Sequence, residues 1–262
     1  MSSGPRVAVF RPDDERIDEA VDRLSSLGAV PVPDPMLAVE ATGATPEAGR
    51  SLDAEYVVFT SKTGVELAAT RWEPNDTTLV AIGPSTAAAA REAGWTVDIV
   101  PETYTSAGLV AALRGRVDGA VVEVARSDHG SDVLLDGLRD AGARVTETVL
   151  YQLTRPEDAG ESAERAAAGE LDALAFTSSL TVDHFLDAAA ERGVAEAALD
   201  GVTDAVVGVI GPPTAETAEA AGIDVDVVPE HADFDALAEA VVTAVSEVQT
   251  DAQPGDGYES RG

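Results

Sequence analysis

The sequence predicts an α/β protein built on parallel sheets, and two observations lead there. Short apolar runs such as 56–59 and 173–176 alternate with stretches whose apolar residues recur at helical spacing. That is the pattern of parallel strands joined by helices and covered on both faces. The second observation is a repeat. Residues 82–102 read IGPSTAAAAREAGWTVDIVPE and residues 210–230 read IGPPTAETAEAAGIDVDVVPE, 128 positions on, with 13 of 21 residues identical and no gap. An internal duplication is therefore expected. In each copy an apolar strand (79–82; 206–210) runs into Gly-Pro. Thr86 or Thr214 is expected to N-cap an Ala-rich helix that stops at Gly94 or Gly222, and a second strand follows.

Taken in order, the chain opens with a strand at 7–10 that ends in Arg11-Pro12. A helix follows with Ile17, Val21, Leu24 and Leu27 on one face, closed by Gly28. Residues 31–35, Pro-Val-Pro-Asp-Pro, read as an extended linker, because proline disfavours helix and limits strand pairing. Residues 40–53 are polar and loosely helical in pattern. The strand at 56–59 runs into Thr60-Ser61-Lys62 and a helix through Leu67. Beyond the first repeat come a short helix at 106–113 and a strand at 120–125 ending in Arg126. A helix at 131–141 then carries Leu134, Leu135 and Leu138. Residues 145–153 are extended and hold Tyr151, and Arg155-Pro156 marks a second proline crossing. An acidic helix at 157–169 precedes the strand 173–176, which leads into Thr177-Ser178 and a helix with Val182, Phe185, Leu186 and Ala189. After the second repeat, a last helix carries Phe234, Leu237, Val241, Val242 and Val245. From Gln249 to Gly262 the composition predicts a frayed tail.

Written as units, the chain reads a, b, c, d, a, b, c, d. It can fold as two tandem domains, or the first unit can close on the last three, leaving the middle as an insertion. The two proline-marked stretches favour the insertion, since they would lie side by side as a double crossing. The expected boundaries are 1–33 with 154–248 for a discontinuous domain and 37–150 for the inserted one.

Composition limits the function. A chain of 262 residues with 45% hydrophobic content can bury two cores, and the absence of cysteine excludes disulfides, Cys-based metal sites and Cys nucleophiles. No secretory h-region opens the chain, and no apolar run approaches the roughly 20 residues that span a bilayer, so a cytoplasmic protein is expected. The net charge of −31, from 48 acids and 17 bases, repels nucleic acid and anionic membranes, which are excluded as principal partners. Acids spread over helix faces suit a high-salt cytoplasm, where screening over about 3 Å at 1 M tolerates such repulsion. A halophilic source is expected. No G-x-G-x-x-G or Walker context surrounds Gly83 or Gly211, and His129, His184 and His231 form no metal constellation.

Several short motifs occur in a specific order: Phe10-Arg11-Pro12, Phe59-Thr60-Ser61, Phe176-Thr177-Ser178, the paired Ile-Gly-Pro-X-Thr-Ala, Val-Pro-Glu before each late helix, and Tyr151 near Arg155-Pro156. In this order they resemble the uroporphyrinogen-III synthase family over nearly the whole chain to about Val248. The resemblance implies two flavodoxin-like domains joined by a two-stranded crossing, with a cleft between them. It also implies the reaction: cyclisation of hydroxymethylbilane, a linear tetrapyrrole, to uroporphyrinogen III with loss of water and inversion of the last pyrrole ring, without a cofactor. Tyr151 stands where the family carries a tyrosine and is the expected proton donor or hydrogen-bond donor to the departing hydroxyl, with a partly buried tyrosine that closes the hinge as its competing role. Ser61, Ser178, Thr86 and Thr214 match the family's cleft-facing hydroxyls, and capping of helices is their competing role. Thr60 adjoins Ser61 in the same motif. Arg11, Lys62 and Arg126 stand at strand ends and could meet the substrate's eight carboxylates, or pair with neighbouring acids instead. Two positions depart from the family's pattern: Ser131 and Thr63 stand where arginine, or asparagine or arginine, is common. The rival expectation is a non-catalytic binding or regulatory module of the same fold that closes on a small anion. A monomer is expected, no exposed apolar stripe arguing otherwise.

Overall fold

The computed structural model describes residues 4–47 and 54–251. In chain order the elements are β1 (Arg6–Phe10), α1 (Glu15–Ser26), β2 (Val30–Pro33), β3 (Ala38–Ala41), β4 (Tyr56–Phe59), α2 (Lys62–Ala69), β5 (Thr78–Ala81), α3 (Pro84–Glu92) and α4 (Ser106–Leu113). Then follow β6 (Val121–Ser127), α5 (Asp132–Asp140), β7 (Arg144–Thr154), α6 (Glu161–Ala167), β8 (Ala173–Phe176), α7 (Ser179–Glu191), α8 (Ala195–Thr203), β9 (Val206–Val209), α9 (Pro212–Ala220) and α10 (Phe234–Asp251). The chain divides into two compact units, Met1–Ala38 with Thr154–Gly262, and Val39–Leu153.

The first unit holds a sheet of order β2-β1-β8-β9. All three of its pairings are parallel, and its strands are buried on both faces for a reason visible in β1. Successive side chains point to opposite faces. Val7 and Val9 meet Ile17, Ala20 and Leu24 of α1 and Leu237 and Val241 of α10. Ala8 and Phe10 meet Ala163 of α6, Phe185 of α7, Val202 of α8 and Ala218 of α9. Phe10 and Phe176 stack with centroids 4.7 Å apart. Burying one such ring stabilises the fold by roughly 2–3 kcal/mol, so this pair anchors β1 to β8.

The second unit's sheet has the order β3-β7-β6-β4-β5. Val57 and Phe59 face a cluster with Val65, Trp72, Trp95 and Leu150, whereas Val58, Val80, Val122 and Val124 face Leu109, Leu113, Leu134 and Leu138. The order β7-β6-β4-β5 here matches β2-β1-β8-β9 in the first unit, strand for strand in the repeat pattern. Single parallel bridges, Val80 with Ile99 and Gly208 with Val227, stand in both sheets where a second strand was expected after the helix.

Other expectations are corrected. Residues 31–33 are not linker: β2 pairs in parallel with β1 at the sheet's edge. Val30 and Asp34 donate their N–H groups to the carbonyls of Pro5 and Val9, so Pro31 and Pro33 occupy the alternate positions that need no ladder donor. Of the loosely helical stretch expected at 40–53, residues 40–41 end strand β3, 42–47 hold no helix, and 48–53 lie outside the described residues. The acidic helix begins only at Glu161, where buried Asp34 accepts hydrogen bonds from the N–H groups of Gly160 and Ser162. Helix α8 was not foreseen. Helix α10 runs on to Asp251, past the expected start of the tail, and 252–262 lie outside the described residues.

Candidate active site

In a parallel sheet the segments that leave the carboxyl ends of the strands gather at one edge, where ligands bind. Register fixes that edge in each unit. Phe10 pairs with Phe176 and Phe176 with Val209, so Arg11, Thr177-Ser178 and Ile210-Gly211 leave the first sheet together. Phe59 pairs with Ala81 and Ala125, so Thr60-Ser61 and Ile82-Gly83 leave the second.

Tyr151, on β7 and only 7% exposed, donates its phenolic O–H to Ser61 Oγ at 3.0 Å across 90 residues of sequence. The same Oγ accepts the Gly64 N–H at 2.9 Å and so N-caps α2. A Cβ at Gly64 would lie 3.0 Å from that Oγ and 3.2 Å from Leu150 Cδ1, so the first turn of α2 is closely fitted around the pair. Ser61 therefore both caps a helix and orients the tyrosine. Ser178 caps α7 in the equivalent place, in a capping box with Thr181.

Thr86 and Thr214 are corrected. The N-caps of α3 and α9 are Gly83 and Gly211, with no side-chain cap, and prolines hold the first helical position. The threonines stand at the third helical residue, 2% and 3% exposed. Among the described residues neither hydroxyl has a hydrogen-bond partner, and neither oxygen is sealed from solvent. Two uncapped helix starts, each with a free hydroxyl, are donors awaiting an acceptor.

The cations separate into two kinds. Arg126, for which substrate carboxylates and neighbouring acids were the two expected partners, has a side chain only 5% exposed and pairs with acids of the chain. Its Nε donates to Glu147 Oε1 at 2.6 Å and its Nη1 to the Ser131 carbonyl at 2.8 Å, and a Cβ at Gly130 would sit 2.4 Å from its Cδ. It braces the 126–132 loop. Lys62 makes an exposed i,i+4 pair with Glu66 at 3.4 Å, an interaction weak enough to yield to a ligand. Arg11 is the exception: half-buried, it has no carboxylate partner among the described residues, its Nε is sealed without a hydrogen bond, and its guanidinium lies 5.0 Å above the Phe234 ring. Burial, then repulsion by Arg16, lowers its pKa, while Asp14, Glu19 and Asp235 work the other way at longer range. An arginine so placed in so acidic a chain is available for an anion from outside. Thr60 leaves β4 with its N–H on the Ala125 carbonyl at 3.4 Å.

Two of the three histidines take structural partners. His129 bonds Asp128 at 2.9 Å and His184 Nδ1 donates to the Met36 carbonyl at 2.6 Å. Among the described residues no group of three or more His, Asp or Glu side chains is placed to hold a metal ion. One residue of this edge escaped the sequence reading: Tyr104, 58% exposed, packed on Gly83. Its signal lay two residues past the first repeat, where the position 128 residues on is Ala232.

A family model described as uroporphyrinogen-III synthase HemD matches residues 18–239. The chain belongs to the uroporphyrinogen-III synthase family. A Methanothermobacter thermautotrophicus protein, provisionally named a uroporphyrinogen-III synthase, is 34% identical over 230 residues, covering 83% of this chain and 90% of the relative. The Chlorobaculum parvum uroporphyrinogen-III synthase is 24% identical over 168 residues, 63% of this chain and 65% of that one. Among solved structures, a mutant uroporphyrinogen III synthase from Thermus thermophilus superposes with a TM-score of 0.65 at 20% identity, over 93% of this chain and all of that one. The Helicobacter pylori uroporphyrinogen-III synthetase gives 0.57 at 14% identity, over 95% of this chain and 100% of that one. These two likenesses speak for the α/β fold of the family.

Proposed function

We propose that this chain is a uroporphyrinogen-III synthase, a lyase that closes hydroxymethylbilane to uroporphyrinogen III with loss of water and inversion of the terminal pyrrole ring. Family membership over residues 18–239 supports the activity. The observation that carries the mechanism is the Tyr151 O–H aimed at Ser61 Oγ at the ligand-binding edge of the sheet. The substrate's hydroxymethyl C–O bond breaks as the departing oxygen takes a proton and leaves as water. The cationic azafulvene left behind is attacked by the bridged α-carbon of the terminal pyrrole; the old bond from that carbon to its bridge breaks and re-forms at the ring's free α-carbon, which inverts the ring, and loss of the free carbon's proton restores the donor. The net change is dehydration, without a change of oxidation state, so side chains that deliver a proton and hold the chain curled suffice. Tyr151 delivers it, and Ser61 orients the phenol.

The eight carboxylates are held by Arg11 and Lys62, by the hydroxyls of Thr60, Thr86, Ser178 and Thr214, and by the uncapped starts of α3 and α9. The two units are flavodoxin-like domains of duplicated origin, a reading supported by their matching strand orders and repeated bridges. The protein works as a cytoplasmic monomer, and the net charge of −31 supports a high-salt cell around it. Among the described residues no helix is long and apolar enough to cross a membrane.

Freshly prepared hydroxymethylbilane supplies the test, because without enzyme it closes to the unrearranged type I ring. Excess type III product, separated chromatographically, is the expected result. Type I alone would leave the non-catalytic anion-binding module as the better account.

A further inference from the structure

We propose that Tyr104 is an aromatic platform on which a pyrrole ring of the substrate rests, an inference that depends on the tetrapyrrole reading of this edge. Tyr104 is 58% exposed and is the aromatic residue among the exposed large apolar side chains of the described chain. Its ring lies on the backbone of Gly83: a Cβ built there would be 3.4 Å from both Cβ and Cγ of Tyr104. Its hydroxyl has no hydrogen bond among the described residues. The ring is thus presented by its backing, with one side on the start of α3 and the rest open.

Its location ties it to the chemistry. Gly83 stands two residues beyond Ala81, and Ser61 two beyond Phe59, and Ala81 pairs with Phe59. Gly83 and the serine that orients Tyr151 therefore leave neighbouring strands at the same edge of one sheet. Beneath the ring, α3 starts without a side-chain cap, and at its third residue Thr86 is 2% exposed with a hydroxyl that bonds nothing. An uncapped helix start beside an unpartnered hydroxyl that solvent still reaches suits a carboxylate, and an aromatic face beside it suits an apolar ring. A pyrrole bearing acidic side chains has both parts. The first unit lacks the counterpart: Ala232, 3.9 Å from a Cβ at Gly211, fills the equivalent place. The second unit would then take a ring face and a carboxylate, the first unit carboxylates only.

The test uses the full chain and anaerobic equilibrium dialysis with uroporphyrinogen III, alongside turnover of hydroxymethylbilane. Tyr104→Phe is expected to bind within two-fold of the parent. Tyr104→Leu and Tyr104→Ala are expected to weaken binding and raise KM by about five-fold, with kcat at saturation little changed, as loss of one aromatic pair predicts. The melting temperatures should match, since the ring is mostly exposed, which separates a contact from a structural role. Equal binding by all four proteins overturns the proposal. So does a loss in Tyr104→Phe as large as in Tyr104→Leu, which would assign the effect to the hydroxyl. A parent that binds but forms only the type I ring defeats the enzymatic reading while the binding ratios still judge Tyr104. A parent that does not bind defeats both.

Discussion

Tyr151, Arg11 and Arg126 illustrate how burial and pairing assign roles to single residues. Removing the phenolic oxygen in Tyr151→Phe deletes one neutral hydrogen bond, a stability cost of about 1 kcal/mol. A positioned proton donor is worth on the order of a hundred-fold or more in rate. The variant is expected to melt almost normally and to lose at least that factor in kcat; an unaltered rate removes Tyr151 from the mechanism. Arg126 and Arg11 predict opposite behaviour. Glu147→Ala leaves the buried Arg126 with only the Ser131 carbonyl and a longer pair, 3.7 Å, to the exposed Asp132. Because Glu147 is itself a third exposed, the expected cost is about 2 kcal/mol, below the ~3–5 kcal/mol of a fully buried pair, and denaturant unfolding measures it. Arg11→Ala breaks no ion pair, so stability should barely move while KM for hydroxymethylbilane rises about ten-fold, the worth of one charge-assisted contact.

Helix α1 and strand β9 carry the predictions that belong to whole elements. Asp14 N-caps α1, and its side chain accepts from the Arg16 backbone N–H and guanidinium. The side-chain hydrogen bond from Arg16 holds the Asp14 carboxyl below the usual carboxylate range, against the raising effect of burial. A carboxyl depressed in the folded state stabilises above its unfolded pKa, near 4, and that contribution is lost as pH falls through the folded value. Asp14→Asn keeps the cap and removes the charge. It should be less stable than the parent at neutral pH by under ~1 kcal/mol, since the pair is substantially exposed, and the two should converge in acid. In β9, Gly208 has no room for a side chain: a Cβ would lie 2.2 Å from Val241 Cγ2 and 3.0 Å from Leu237 Cδ1. Gly208→Ala must push α10 off the sheet, and a loss of about 1–3 kcal/mol in thermal or denaturant unfolding is expected.

At the scale of the whole molecule the dominant quantity is the charge of −31. Such a surface repels itself and repels a substrate with eight carboxylates, and the screening length falls from about 10 Å at 0.1 M salt to about 3 Å at 1 M. Activity is therefore expected to rise steeply with potassium chloride into the molar range, mainly through KM. Full activity in dilute buffer would contradict this.

The local part of the structure was legible without coordinates. Buried-type runs such as 56–59 and 173–176 became parallel strands, glycines closed helices, and the order of short motifs pointed to the family, because each signal acts within a turn or a strand. Legibility ended where the decisive partner is distant. The proline-rich 31–33 became an edge strand because β1 supplied acceptors only at alternate positions, and α6 began late because Asp34, more than 120 residues earlier, caps it. The threonines that read as caps became buried third residues of helices whose starts are open, since the two glycines take the cap position. Whether an arginine is a brace or a free cation depends on what the fold sets beside it: Glu147 for Arg126, the Phe234 ring for Arg11. Sequence alone determined the main strands and helices, the repeat and the chemistry available; the tertiary structure decided the edge strands, where α6 starts, which groups are spent on one another and which are left for a ligand, because hydrogen bonds and burial across many residues leave no periodic trace in the chain.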